Sequence, residues 1–352
     1  MSTLVQLLQE VVTRGGSDLH IPSGSPPLMR FNGELFPLSD KPLTADESHD
    51  LMMSALKPEQ QEALIELKNL DFAYEVETMD GMRRFRANAF YQRLGVDGSF
   101  RAISSTIPTL AELKIPDVVG SMVNHHQGLV LVTGPTGSGK TCTLSALLNI
   151  INETKPAHII TIEDPIEHIH APKKCLINQR QVGLHTRSFS SALRAAMRED
   201  PDVILVGEMR DLETISLAIT AAETGHLVLG TLHTSSAPKT IDRIIGAFPA
   251  GQQAQIRTMV SESVRGIVSQ ILIPSTTPGV RIPAIEILMG CVPVANVIRE
   301  GKTFQIPSLM QTGRNLGMRS MDDALLDLLQ KKQITSQDAY DYATDKKMFE
   351  GR

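Results

Sequence analysis

The sequence predicts an α/β protein: a mostly parallel sheet, preceded by a smaller α+β domain and followed by short helices. Two observations carry this. Between residues 129 and 288, continuous apolar runs at 129–132, 158–162, 203–206, 227–232 and 282–288 alternate with amphipathic helical segments. Unbroken apolar strands separated by helices mark a sheet covered on both faces. The residues before and after that stretch lack the alternation, and a chain of 352 residues is long enough for two domains.

Taken in order, Leu4, Leu7, Leu8, Val11 and Val12 make one face of a helix that Gly15-Gly16 ends. Strand-like pieces follow at 28–31, 70–76, 84–90 and 99–103, which places a small α+β domain at 1–105. Thr106-Ile107-Pro108 opens a linker, and a lead-in helix over 110–122 completes the segment 106–128. The core of the second domain spans 129–290. Within it, Phe189, Ala192, Leu193, Ala196 and Met197 keep helical spacing, as do Ile215, Ala218, Ile219 and Ala222. From 291 to 352 the pattern is short helices, at 295–299, 322–330 and 336–344.

Composition narrows the function classes. A net charge of −5, no Trp and 4% aromatics leave neither a basic field nor stacking platforms for nucleic acid. No apolar run approaches a membrane span, and the N-terminus lacks a basic segment leading into an apolar one, so the expected location is the cytoplasm. Cys142, Cys175 and Cys291 are odd in number and far apart. They fit neither a disulfide framework nor a zinc module, and reduced thiols are expected.

The chemistry begins at Gly134-Pro135-Thr136-Gly137-Ser138-Gly139-Lys140-Thr141, which fits G-x-x-x-x-G-K-[ST] at every position. The run 129–132 precedes it as a strand, and Leu144, Leu147, Leu148 and Ile151 follow on one helix face. Glycines let the backbone wrap phosphates with its N–H groups inward, and the helix N-terminus adds favourable partial charge. Lys140 would reach the β- and γ-phosphates, and the Thr141 hydroxyl would ligate Mg²⁺. Cys142 follows on the same turn. The expected ligands are ATP and Mg²⁺.

Glu163, Asp164 and Glu167 come directly after the second core run, where a carboxylate can orient and deprotonate an attacking water; Glu163 is the preferred base. Asp202-Val203-Ile204-Leu205-Val206-Gly207-Glu208 ends a further strand in an acid, the arrangement that holds Mg²⁺. Spacing leaves open which of Glu163 and Glu208 is base and which holds metal. His226 and His233 flank the next strand, and at most one can face the nucleotide; His233, at the carboxyl end, is favoured as the γ-phosphate sensor. Positive charge for the transferring phosphoryl group could come from Arg84, Arg86 and Arg101 in the first domain. Arg194 and Arg198, on one face of a helix, are the second-domain candidates.

With these pieces placed, the chain resembles the secretion and pilus ATPase superfamily, and closely the type IV pilus retraction ATPases (PilT family). The resemblance is carried by Ser17-Asp18-Leu19-His20, the phosphate loop, and Ile162-Glu163-Asp164-Pro165-Ile166-Glu167. It continues through the block from Arg198 to Asp211, and through Thr224-Gly225-His226 to Leu232-His233-Thr234. It implies a RecA-like ATPase domain behind a PAS-like one, in a homohexameric ring, with nucleotide between the domains and first-domain arginines reaching it. The Glu163, Glu208 and His226–His233 blocks take the names Asp box, Walker B and His box. The implied work is to turn an inner-membrane platform protein and drive pilin back into the membrane, at the cytoplasmic face. A heteromeric pilus ATPase paralogue is a further implied partner.

Two positions depart from the family pattern. Cys142 stands where many relatives carry Ser or Thr. In Pro293-Val294-Ala295-Asn296-Val297-Ile298-Arg299-Glu300, the retraction element, Asn296, Ile298, Arg299 and Glu300 match but Ala295 replaces an Arg. This leaves an accessory retraction paralogue as an alternative. A pilus-assembly or type II secretion ATPase is another. Those relatives carry an extra N-terminal domain and a four-cysteine zinc module, whereas this chain has no Cys-x-x-Cys and begins almost directly with the PAS-like domain. A motor on DNA or RNA is disfavoured by the charge balance, and a non-catalytic ring component by the complete set Lys140, Thr141, Glu163 and Glu208.

Overall fold

The computed structural model describes residues 3–31, 33–78, 81–103 and 106–350. It divides into two compact units, one reaching to Thr106 and including Glu167–Ile169, the other made of Ile107–Ile166 and the chain from His170 onward. The boundary expected at 105/106 adjoins residues 104 and 105, which lie outside the described residues.

The first unit runs α1 (Leu4–Thr13), β1 (Asp18–Ile21), β2 (Leu28–Phe31), β3 (Glu34–Pro37), α2 (Ala45–Ser54), α3 (Pro58–Leu67), β4 (Asn69–Thr78), β5 (Gly81–Gln92) and β6 (Gly95–Ile103). Thr3 and Gln6 form a capping box at the start of α1, and Leu4, Leu7, Leu8 and Val11 bury its apolar stripe. The sheet is antiparallel throughout, in the order β3-β2-β1-β6-β5-β4. One face packs on the helices. Phe85, Ala87 and Ala89 alternate inward along β5, where Phe100 of β6 meets Phe72 edge-on at 6.1 Å. Of the Ser17-Asp18-Leu19-His20 stretch, Asp18 to His20 lie in the strand β1, which is paired on both sides, and Ser17 immediately precedes it.

The second unit contains α4 (Val118–Ser121), β7 (Gly128–Thr133), α5 (Lys140–Thr154), β8 (His158–Glu163), β9 (Leu176–Gln181), α6 (Phe189–Ala196), β10 (Val203–Val206) and α7 (Leu212–Glu223). It continues with β11 (Leu227–Leu232), α8 (Ala237–Gly246), α9 (Gln253–Ser263), β12 (Val264–Pro274), β13 (Arg281–Met289), α10 (Val292–Arg299), α11 (Ile306–Thr312), α12 (Met321–Gln330) and α13 (Ser336–Tyr342). The sheet order is β13-β12-β7-β11-β10-β8-β9, parallel except for the β12–β13 pair. Along the central strands, Leu129, Leu131, Ile160, Ile162, Ile204 and Val206 face one apolar layer, while Val130, Val132, Ile159, Val203 and Leu205 face the other. Coverage on both faces is why these runs read as unbroken apolar stretches. Val294, Val297 and Ile298 of α10 join the first layer, and α12 packs on Ile273, Ile282 and Ala284 of the β12–β13 hairpin.

Two features differ from the sequence expectation. The lead-in helix over 110–122 is absent; only the single turn α4 forms, because Lys114 adopts φ +56° and Pro116 follows. Leu110, Ile115, Val119 and Met122 are nevertheless buried. The strands β9 and β12 lie outside the apolar runs that define the core. β9 is half polar, as an edge strand can be, and in β12 the residues Val264, Ile267, Val268, Ile271 and Leu272 fall at helical spacing.

Candidate functional site

The loop between β7 and α5 turns on three glycines of positive φ: Gly134 at +145°, Gly137 at +76° and Gly139 at +86°. Several of its carbonyls are engaged. Lys140 Nζ donates to Gly134 O and Pro135 O, both at 3.0 Å. Gly139 O accepts from Thr143 N at 3.1 Å, and Ser138 O from Gln270 Nε2 at 2.6 Å. Among the described residues, the N–H groups of Thr136, Gly137 and Gly139 have no hydrogen-bond partner, and neither does the buried Ser138 hydroxyl. No side chain caps α5, whose first turn carries Lys140, Thr141 and Cys142, all half-buried. Open N–H groups at a helix N-terminus form an anion cradle, so the residues present fit a polyphosphate.

The sequence-predicted acids and one histidine lie along the same edge of the sheet as this loop. β7, β11, β10 and β8 are consecutive neighbours in the sheet, and their carboxyl ends carry the loop, His233, Glu208 and Glu163 in that order. Main-chain bonds lock the ends together: Gly134 N to Leu232 O, Met209 N to Thr231 O and Gly207 N to Ile162 O. Gly207 permits the close approach, since a Cβ there would lie 3.1 Å from Ile162 O and 3.3 Å from the Glu163 Cα.

Each acid is oriented. Glu163 is buried, its Oε1 accepting from Thr161 Oγ1 at 2.6 Å and from Gln179 Nε2 at 3.2 Å. Glu208 Oε1 meets Arg210 Nε at 2.5 Å and His233 Nε2 at 2.8 Å. Burial alone would raise the Glu208 pKa, but Arg210 and His233 outweigh it and hold the carboxyl below the ordinary range. Glu208 therefore stays anionic at neutral pH.

Other predicted residues are placed elsewhere. His226 lies at the amino end of β11, where its main-chain carbonyl accepts from Gly128 N and its ring Nδ1 lies 3.0 Å from Ala221 O. Seven residue steps along the strand, at about 3.3 Å each, put it about 23 Å from His233. It does not share the phosphate end within one chain. Arg194 pairs with Glu213 of α7, and α6 ends at Ala196, so Arg198 lies in the turn beyond rather than on the helix face with Arg194.

In the first unit, Arg84 and Arg86 do share a strand face, opposite Phe85 and Ala87. Arg84 reaches Glu75 at 3.2 Å; Arg86 stands across from Arg101, which reaches Asp18 at 2.8 Å. In α10, Ile298 is fully buried, whereas Asn296 and Arg299 are exposed, as is Glu300 just past the helix end. Arg299 lies 3.6 Å from Glu262, and Glu300 lies 2.8 Å from Lys302.

Sequence reasoning missed the supports: Thr161 and Gln179 at Glu163, Arg210 at Glu208, and Gln270 with Thr143 beneath the phosphate loop. Arg210 was within reach, two residues from Glu208. Gln179 and Gln270 sit on the two unrecognised strands and carry no local signal.

The family model for type II/IV secretion system proteins matches residues 103–341, which hold the loop, both acids and His233. The chain belongs to this family. In Pseudomonas aeruginosa, the relative named type IV pilus retractation ATPase PilT is 48% identical over 340 residues, 97% of this chain and 98% of that protein. The twitching motility protein of Neisseria gonorrhoeae is 47% identical over 313 residues, 89% of this chain and 83% of its own. Among solved structures, the pilus retraction motor PilT with bound ADP aligns at a TM-score of 0.92 and 44% identity, covering 99% of each chain. Like the site, these relatives point to a nucleotide-binding secretion-type ATPase. Among the described residues no helix is long and apolar enough to cross a membrane.

Proposed function

We propose that this secretion-family ATPase is the motor of type IV pilus retraction, hydrolysing ATP as a homohexameric ring. It would work at the cytoplasmic face of the inner membrane, on a platform protein through which pilin is drawn back. The observation that carries the reading is the set of four adjacent strand ends that gathers the phosphate loop, His233, Glu208 and Glu163. Near-complete coverage by proteins named for pilus retraction and twitching supports the cellular role.

In this reading the loop N–H groups and Lys140 bind the β- and γ-phosphates of the substrate. Thr141 and Glu208 would hold Mg²⁺, which when bound neutralises charge on the phosphates. Glu208 suits that task because its lowered pKa keeps it anionic. Glu163, held by Thr161 and Gln179, orients the attacking water and takes its proton. His233, bonded to Glu208, senses the γ-phosphate. Arg84, Arg86 and Arg101 are the candidates for charge on the transferring phosphoryl group.

Steady-state ATP turnover of the wild type and of Lys140→Ala tests the enzyme reading. Turnover should be lost in the variant, and near-normal hydrolysis would overturn the nucleotide assignment. Deletion in the native host tests direction: excess surface pili with lost twitching supports retraction, and bald cells support assembly. Ala295, on α10 beside the exposed Asn296, favours one second reading, an accessory retraction paralogue. Ala295→Arg should then change twitching with no change in ATP turnover; an unchanged phenotype removes that reading.

A further inference from the structure

We propose that Gln270 is a positioning residue of the nucleotide site, its side-chain amide clamping the phosphate loop so that peptide N–H groups face the polyphosphate. The inference rests on the nucleotide reading above and extends it to a residue 130 positions from the loop's last lysine in sequence. Gln270 lies on β12, the strand beside β7, and is only 3% exposed. Its Nε2 donates to Ser138 O at 2.6 Å, and its Oε1 accepts from Thr143 Oγ1 at 2.8 Å. The orientation follows from chemistry: a peptide carbonyl only accepts, so the amide NH₂ must face Ser138.

The consequence comes from peptide geometry. The unit joining Ser138 to Gly139 is planar and trans, so its C=O and N–H point in opposite directions. Drawing Ser138 O onto Gln270 turns Gly139 N–H away from β12, among the N–H groups that have no partner in the described residues. The loop also rests directly on this residue. A Cβ on Gly134 would lie 2.2 Å from Gln270 O, and one on Gly139 would lie 3.3 Å from Gln270 Nε2. Thr143 ties the same amide to the first turns of α5, and the neighbouring Ser269 accepts from Thr133 Oγ1 at 3.0 Å, fixing the residue that enters the loop. One buried side chain thus holds the loop's floor and the helix start together.

The test uses the full chain. Gln270→Met preserves length and burial but removes both hydrogen bonds; Thr143→Val removes one and keeps the shape. Both are titrated with a fluorescent ATP analogue and assayed for turnover across ATP concentration, beside wild type and Lys140→Ala. Gln270→Met should raise the dissociation constant and KM about tenfold, with kcat within about threefold. Thr143→Val should raise them about threefold, and the double variant should be no weaker than Gln270→Met alone, because both act through one clamp. A residue that merely fills the core would lower thermal stability and the active fraction without moving KM. A folded Gln270→Met with wild-type affinity overturns the clamp, as does a loss confined to kcat. If Gln270→Met does not fold, unchanged affinity in Thr143→Val overturns it equally. Wild-type binding that Lys140→Ala fails to weaken sinks the nucleotide reading itself, whereas binding weakened by Lys140→Ala but by neither clamp variant sinks the clamp alone.

Discussion

Replacing Gly134 by Ala tests how tightly β12 packs beneath the phosphate loop. Gly134 has φ +145°, and an added Cβ would lie 2.2 Å from Gln270 O and 2.7 Å from Ser138 Oγ. The backbone strain costs about 1–3 kcal/mol. Overpacking against main chain adds about 1–3 kcal/mol, because a carbonyl in a paired strand cannot swing aside. The sum, roughly 2–6 kcal/mol, corresponds to a fall in melting temperature of roughly 5–20 °C for a domain of this size. Gly137→Ala is the internal control. Its φ of +76° carries strain, but a Cβ there meets nothing within 4 Å, so about 1–2 kcal/mol and a few degrees are expected. Thermal melts followed by circular dichroism give both values, and ATP titration shows whether the loop still binds. Should Gly134→Ala melt within about 2 °C of Gly137→Ala, the loop does not rest on Gln270 as described.

Further predictions concern the acids, the histidines and pH. Glu163→Gln and Glu208→Gln should each lower kcat by about 10²-fold or more while ATP binding stays within about threefold, read by turnover and titration; lost binding in Glu208→Gln would put its main role in ground-state affinity. His233→Ala should reduce kcat about tenfold, whereas His226→Ala, at the far end of β11, should leave it within about twofold; the reverse order would contradict the placement. Glu286 on β13 is 7% exposed and accepts from Ala237 N at 2.7 Å. Burial raises its pKa more than bonds from Ala237, Met321 and Ser269 lower it. Its raised folded-state pKa means that its stability contribution is full below the ordinary carboxylate value, about 4.3, and is lost as pH rises through the folded value. Denaturation of wild type and Glu286→Gln at pH 5 and pH 8 should show the wild type losing ground to the variant at the higher pH; a pH-independent difference would contradict the burial.

Much of the site was legible locally. Gly134 to Thr141 turn on their own glycines straight into the adjoining helix, so the motif is readable from contiguous residues. Glu163, Glu208 and His233 each follow an apolar run, and in a parallel sheet the carboxyl ends of neighbouring strands share one edge. His226 was separated from His233 by strand length alone. The failures have equally physical origins. Turn geometry at Lys114 and Pro116 overrode the apolar spacing of 110–122. β12 is apolar at helical intervals, yet its pairing with β7 and β13 makes it a strand.

The chain alone was enough for the α/β class, the phosphate loop, the acids after the strands and the family, because each is written in contiguous residues. It could not reveal that Gln270 lies under Ser138, that His233 bonds Glu208, or that Ile298 is core while Asn296 and Arg299 are surface. Those facts arise from pairings between strands and helices far apart in sequence. A buried amide acquires its partners only when the sheet has closed around it.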